Sequence, residues 1–541
     1  MAGITGYGVG DQPVIGKIFL IERSNSDSHY SLKKLSSDDA ITRLTEAVKK
    51  VEAEFNESIK GSKDSTLRDI LSAQLALITD PELSSVIIES INSGKSLPQA
   101  IDTAINEFTS LLVGGSEEFE ARIADLKEIG VRLIDAATGN SKSLNFPKDG
   151  EWIVVSNDLS PLETSKFTSA IKGVVTRDGG PTSHTAIVCR QLRISAVVGC
   201  GDISQLKADE TITLDPTENA VYLGSKTIEH LGPWWANLPK QKTSVFRPLG
   251  NVGSAKDAAL IKSSNALGVG LLRTELLFLD AKVEPTIEEQ FKIYKDIVAN
   301  CPEGEIIFRT LDAGTDKPIA FLNLGREENP ALGVRGQRIS WVRPQFYENQ
   351  LRAIREVTAQ FPSRRISIMA PMIANAQEAT VFSNSARDLD FESIGVMVEV
   401  PSIIEDIPNL PESINFLSIG TNDLSQYLFA ADRQNSTVAH LLNPWQPILL
   451  KTISRICDLA KSRGIKVGIC GEAASDRLLA PVLIGLGVES LSAGAGAVSD
   501  LVAISHALSL SQARTAAEIA INSKSANDAQ RAVRNLLNSK I

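Results

Sequence analysis

Ile394-Gly-Val-Met-Val-Glu399 and Leu417-Ser-Ile-Gly-Thr-Asn-Asp423 are two short apolar runs that each end in polar, acidic residues. Runs of this length with no polar alternation read as strands buried on both faces, as in a parallel sheet covered by helices. Outward from this pair, strand-like runs alternate with longer helical patterns from Thr243 onward. The runs lie near 244–252, 268–273, 305–311, 366–373, 394–400, 415–420, 466–470 and 489–492. Eight such βα units predict a TIM-type (β/α)8 barrel over 243–541. Arg273, Arg309, Glu399, Asn422, Asp423 and Cys470 all fall at or just past the C-terminal end of a strand. In barrels of this type the chemistry sits on that rim.

Upstream, a polar stretch over 225–242 carries Gly232-Pro233 and Pro239, which interrupt helices, and it is expected to be a connector. Ahead of it, β-like runs at 14–21, 151–155, 173–176, 196–198 and 211–214 predict an α/β domain made of two pieces, 1–30 and 141–224. The residues between, 31–140, have a different period. Ile41, Leu44, Val48, Val51, Phe55 and Ile59 recur at steps of three and four behind the start signal Ser36-Ser-Asp-Asp39. Further amphipathic stretches near 64–79, 82–93, 98–113 and 116–137 complete an inserted helical bundle. The predicted architecture is a multidomain α/β protein.

Composition narrows the functional classes. With 541 residues, 43% hydrophobic and 22% charged, the chain suits about three globular domains. Lys and Arg number 55 against 65 Asp and Glu, a net charge of −10, so no overall basic footprint for nucleic acid exists. The sequence has neither a signal-like start nor an apolar run long enough to cross a bilayer, which predicts a cytoplasmic protein without membrane insertion. Five cysteines without CxxC spacing fit reduced thiols.

In Gly179-Gly-Pro-Thr-Ser-His184, a β-run passes through two glycines into a helical pattern, placing His184 at a helix N-terminus, where anions bind. Thr182 and Ser183 add hydroxyl donors, and an imidazole with an unperturbed pKa of ~6.5 is a good phosphoryl acceptor near neutral pH. Arg273 and Arg309, with Arg335 and Lys317 in reserve, are the leading cationic groups. Guanidinium forks of this kind bind phosphate and carboxylate, so the substrate is expected to be small and highly anionic. Glu399 and Asp423 end neighbouring strands and together suit a hard cation such as Mg²⁺, which takes few carboxylates and completes its shell with water and substrate oxygens. Cys470 ends another strand and faces the same rim, from which a thiol can deliver a proton.

These residues sit in longer motifs: Gly179-Gly-Pro-Thr-Ser-His184, Gly270-Leu-Leu-Arg-Thr-Glu275, Arg309-Thr-Leu-Asp312, Glu327-Glu-Asn-Pro-Ala-Leu-Gly-Val-Arg335, Met397-Val-Glu399, Ser418-Ile-Gly-Thr-Asn-Asp423, Asp432-Arg433 and Cys470-Gly-Glu472. In that order, over nearly the whole chain, they resemble enzyme I of the bacterial sugar phosphotransferase system. The resemblance implies a phosphoenolpyruvate–protein phosphotransferase in which His184 takes the phosphoryl group from phosphoenolpyruvate and passes it to the carrier protein HPr. It further implies that Arg273, Arg309, Arg335, Asn422 and Arg433 hold substrate, Glu399 and Asp423 bind Mg²⁺, and Cys470 protonates the enolpyruvate to pyruvate. The inserted bundle would dock HPr, and the barrel would carry a homodimer contact. Departures such as Asp312-Ala-Gly-Thr-Asp-Lys317 leave the charged residues in place. Two alternatives remain at this point. One is a dikinase-like phosphoenolpyruvate/pyruvate enzyme, which needs a further nucleotide-binding domain. The other is a catalytically silent regulatory homologue, which loss of His184, Arg309, Glu399 or Asp423 would have indicated.

Overall fold

A computed structural model describes residues 3–10, 12–21, 35–61, 65–112, 117–139, 145–180, 183–192, 194–225, 234–236, 238–279, 281–314, 319–325, 327–433, 435 and 438–538. The chain divides into two compact units, Met1–Glu229 and His230–Ile541.

The first unit is built on an eight-stranded sheet of β1 (Ile4–Thr5), β2 (Tyr7–Val9), β3 (Val14–Leu20), β4 (Trp152–Ser156), β5 (Ile171–Thr176), β6 (Ser195–Val198), β7 (Thr211–Asp215) and β8 (Ala220–Leu223), in the order β1-β8-β7-β3-β4-β5-β6-β2. The central strands β3 to β6 run parallel, and the flanking pairs are antiparallel. Alternate residues of the central strands enter opposite cores. Val154, Val174, Ala196 and Val198 pack in one cluster, and Ile153, Val155, Val175 and Val197 in another. Burial on both faces is why these strands read as unbroken apolar runs.

Between β3 and β4 the chain leaves the sheet for five helices, Ser37–Gly61, Ser65–Ile78, Pro81–Asn92, Leu97–Leu112 and Glu117–Thr138. The first starts where its signal predicts: Ser36 Oγ accepts from the Asp39 backbone N–H at 3.2 Å and satisfies one of the free donors of the first turn. Leu44, Ala47, Val51 and Phe55 of this helix are buried in the bundle core, and Ile41, Val48 and Ile59 pack at its margin. Leu162, from the short helix Pro161–Ser165 that follows β4, is fully buried in the same core. Arg132 of the last bundle helix donates to Ser160 Oγ at 3.0 Å. Bundle and sheet are thus fastened to each other within one unit.

The second unit is a closed barrel of parallel strands β9 (Arg247–Val252), β10 (Gly268–Arg273), β11 (Glu305–Arg309), β12 (Ile366–Ala370), β13 (Ile394–Val398), β14 (Ile414–Ile419), β15 (Lys466–Ile469) and β16 (Ser490–Ala493), each neighbouring the next, with β16 returning to β9. All eight coincide with predicted runs. Leu271, Ile307, Met369, Met397, Phe416 and Cys470 form a buried cluster of their own, one residue from each of six strands or strand ends, as expected for a side-chain layer inside the barrel. Trp234 and Trp235, in the second half of the expected connector, pack against the larger barrel core, and Trp234 Nε1 donates to the Arg477 carbonyl at 3.3 Å. Gly232-Pro233 of the expected connector lies outside the described residues. Among the described residues no helix is long and apolar enough to cross a membrane, and all five cysteines are free and buried.

Candidate active site

Strand register sets the first two cationic groups side by side. Arg273 and Arg309 are paired residues at the C-terminal ends of β10 and β11. Arg309 is buried and pairs with Glu275 and, at 3.0 Å, with Asp312. Asp312 also takes Arg335 at 3.2 Å, and Arg335 reaches Asp423 at 3.0 Å. A continuous line of alternating charge, Glu275–Arg309–Asp312–Arg335–Asp423, therefore crosses the rim, and every member is less than a tenth exposed. Burial alone would lower the arginine pKa values, but the facing carboxylates outweigh it and raise both, so the guanidinium groups stay charged. Arg309 Nε and Glu275 Oε2 are buried without a hydrogen-bond partner among the described residues. Arg273 has no hydrogen-bond or ion-pair partner among them either, which leaves its fork available to an anion.

Glu399 follows β13 directly and is 1% exposed. Its Oε1 accepts from the Met372 backbone N–H at 2.7 Å. Gly420 at the end of β14 makes room for the other oxygen, since a Cβ there would stand 2.5 Å from Oε2. Burial first, then the charges of Asp423 and Asp312, push the Glu399 carboxyl up to about 8 against the pull of Arg309 and Arg335. Four carboxyl groups thus meet two guanidinium groups in this cluster, and a divalent cation beside Glu399 and Asp423 would favour the ionised form of Glu399. The donors are hard oxygens. Among the described residues no group of three or more His, Cys, Asp or Glu forms a metal site. A cation here would draw the rest of its shell from water and substrate, which suits Mg²⁺.

Cys470, just past β15, is buried at the inner layer, where Ser418 Oγ lies 3.2 Å from its Sγ. Burial pushes its thiol pKa up, with Ser418, Arg309 and Arg273 opposing, so the sulfur keeps its proton near neutrality. Asn422 lies in the first turn of helix Thr421–Phe429, and its Oδ1 accepts from the Glu472 N–H at 3.1 Å. Arg433 follows that helix, with its backbone N–H bonded to Gln426 Oε1 at 3.1 Å. Lys317 lies outside the described residues. The structure therefore gathers Arg309, Arg335, Glu399, Asp423 and Cys470, with Arg273 beside them, while Asn422 lies in, and Arg433 just after, the helix that carries Asp423.

His184 belongs to the other unit. It opens the helix His184–Leu192, as its sequence context predicts, while its side chain and Thr182 lie outside the described residues. The approach to the helix is fixed by backbone. Gly179 has φ +99°, and Gly199 has φ +68° with a Cβ position only 2.5 Å from the Gly179 carbonyl oxygen, so a side chain is excluded there. Ser183 Oγ accepts from the Ala186 N–H at 3.3 Å, and Thr185 donates to Asp158 Oδ1 at 3.0 Å. These contacts position and partly cap the helix N-terminus at His184.

Glu275 and Asp312 carry no assigned role in the sequence reading, although both stand in its motifs. Their signal was proximity to an arginine already singled out, by two residues for Glu275 and three for Asp312.

A family model described as PEP-utilising enzyme, PEP-binding domain, matches residues 238–510. Models described as the mobile and N-terminal domains of PEP-utilising enzymes match 148–219 and 5–118. A phosphoenolpyruvate-protein phosphotransferase of Streptomyces coelicolor is 35% identical over 86% of this chain and 87% of its own length. One from Listeria monocytogenes is 32% identical over 85% and 86%, and one from Latilactobacillus sakei 29% over 98% of each. A solved enzyme I structure aligns with a TM-score of 0.37 and 27% identity over 41% of this chain and 93% of that one.

Proposed function

The chain belongs to the phosphoenolpyruvate-protein phosphotransferases among the PEP-utilising enzymes, and from that premise we propose that its barrel rim binds phosphoenolpyruvate and its His184 carries the phosphoryl group to HPr. The observation that carries the residue assignment is the buried line of paired charges beside Glu399, at the barrel end where parallel βα barrels keep their chemistry. Arg273, Arg309 and Arg335 take the phosphate and carboxylate of the substrate, and Asn422 and Arg433 border it. Glu399 and Asp423 hold Mg²⁺, which, when bound, neutralises charge developing on the transferring group.

A nitrogen of His184 attacks the phosphorus, a P–N bond forms, the bridging P–O bond breaks, and the enolate of pyruvate leaves. The Cys470 S–H, kept protonated by burial, gives its proton to the methylene carbon, which yields pyruvate, and the thiolate recovers a proton from solvent. The phosphohistidine then passes its phosphoryl group to the histidine of HPr, docked on the helical block 31–140. We place a homodimer contact on the barrel, whose exposed apolar side chains include Val283, Leu332, Trp341 and Val342.

Incubation with labelled phosphoenolpyruvate should leave an acid-labile label on His184 that needs a divalent cation and is lost with a chelator. Normal labelling of His184→Ala would overturn the assignment. No labelling of the wild type, in chains that do bind phosphoenolpyruvate, would favour the silent regulatory reading instead.

A further inference from the structure

Asp423 is asked to serve the cation, yet both of its oxygens are already taken. Arg335 Nη1 lies 3.0 Å from Oδ1 and Nη2 lies 3.3 Å from Oδ2, while Nη2 also reaches both Asp312 oxygens at 3.2 Å. We propose that Arg335 stands in for the divalent cation on Asp423 and exchanges that partner for the substrate phosphate, pivoting on Asp312, so that cation and substrate enter the rim as a coupled pair. The proposal rests on the reading of Glu399 and Asp423 as cation ligands.

The argument is one of buried charge. A cation on Asp423 competes with the fork for its negative charge and leaves the guanidinium, in a residue only 2% exposed, to rely on Asp312, a carboxylate it shares with Arg309. A phosphate that draws Arg335 away leaves Asp423 uncompensated beside Glu399. Either step alone gives up a buried ion pair, which is unfavourable, whereas both together conserve the number of opposite-charge pairs. Asp312 is the fixed point, because it is paired to Arg309 at 3.0 Å as well as to Arg335 and keeps the displaced guanidinium next to the other substrate cation. Asp312 is in this sense a positioning residue. Coupling of this kind is reciprocal: phosphate tightens the cation by the factor with which the cation tightens phosphate.

The test is direct binding of Mn²⁺ to the full chain, read from the resonance of the free ion, in a His184→Ala background so that phosphoenolpyruvate is not consumed. Without phosphoenolpyruvate, Arg335→Gln should bind Mn²⁺ about tenfold more tightly than its parent, and the enhancement caused by phosphoenolpyruvate should shrink by about the same factor. Arg309→Gln removes the same charge without freeing Asp423 and should give a clearly smaller gain in Mn²⁺ affinity than Arg335→Gln. Should Arg335→Gln not fold, Arg335→Lys serves, since an ammonium cannot fork both Asp423 oxygens and hold Asp312. Unchanged or weaker Mn²⁺ binding on replacing Arg335, or an equal gain on replacing Arg309, overturns the proposal. Mn²⁺ binding that ignores Glu399→Gln and Asp423→Asn instead overturns the cation-site reading beneath it.

Discussion

At Glu399 the environment works against the charge that the proposed chemistry needs. Burial and the neighbouring Asp423 and Asp312 raise its carboxyl from an ordinary 4.5 to about 8. In the cation-free protein the folded state therefore holds a proton that the unfolded chain releases, throughout the window from 4.5 to about 8. Stability must fall as pH rises through that window, because the folded state binds more protons than the unfolded one. Glu399→Gln removes this linkage, so without added cation its Tm should exceed the wild-type value at pH 8, and the gap should close toward pH 5. A gap of constant size across that range would place Glu399 with ordinary carboxylates. The residue types on the rim were legible in the sequence because each ends an apolar run. Their pairing was not, since Arg335 meets both Asp312 and Asp423 only once the strands have closed.

Among the elements, the barrel strands were legible because each is a buried run between helical patterns, and the bundle because its apolar residues keep a step of three and four. The short strands β1, β2 and β8 were not, since runs of two to four residues have no measurable period and owe their existence to the neighbours they pair with. The bundle was legible as an insertion, but its attachment was not. Leu162 belongs by sequence to the α/β domain predicted over 1–30 and 141–224, and by packing to the bundle core. A deletion of the bundle, the proposed HPr dock, would therefore expose an apolar side chain and leave Ser160 without Arg132. Removal of 31–140 combined with Leu162→Ser should fold, accept the phosphoryl group from phosphoenolpyruvate, and fail to pass it to HPr. Phosphorylation of HPr at the wild-type rate by a folded deletion variant would move the dock elsewhere.

For the whole molecule, the proposed reaction divides between two units, each with its own core: the acceptor His184 in Met1–Glu229 and the substrate groups in His230–Ile541. The boundary matters for any attempt to separate them. Trp234 and Trp235 are packed on the barrel core, so a barrel fragment should begin at His230 and not at Thr243, where those side chains would be lost. In the intact chain the two parts share one tether, so the proposed transfer from phosphoenolpyruvate to His184 would be intramolecular, with an effective concentration on the order of millimolar. Fragments mixed at about 1 μM lose that advantage, and single-turnover labelling of His184 should slow by about a thousandfold and become proportional to the concentration of the barrel fragment. On the proposed assignment, exchange of the phosphoryl group between His184 and HPr would need only the first unit and should proceed in the isolated fragment at the rate of the intact protein. Labelling of mixed fragments at the intact rate, independent of concentration, would mean that the units bind each other without the tether. Loss of HPr exchange in a folded first unit would mean that the barrel completes the carrier site.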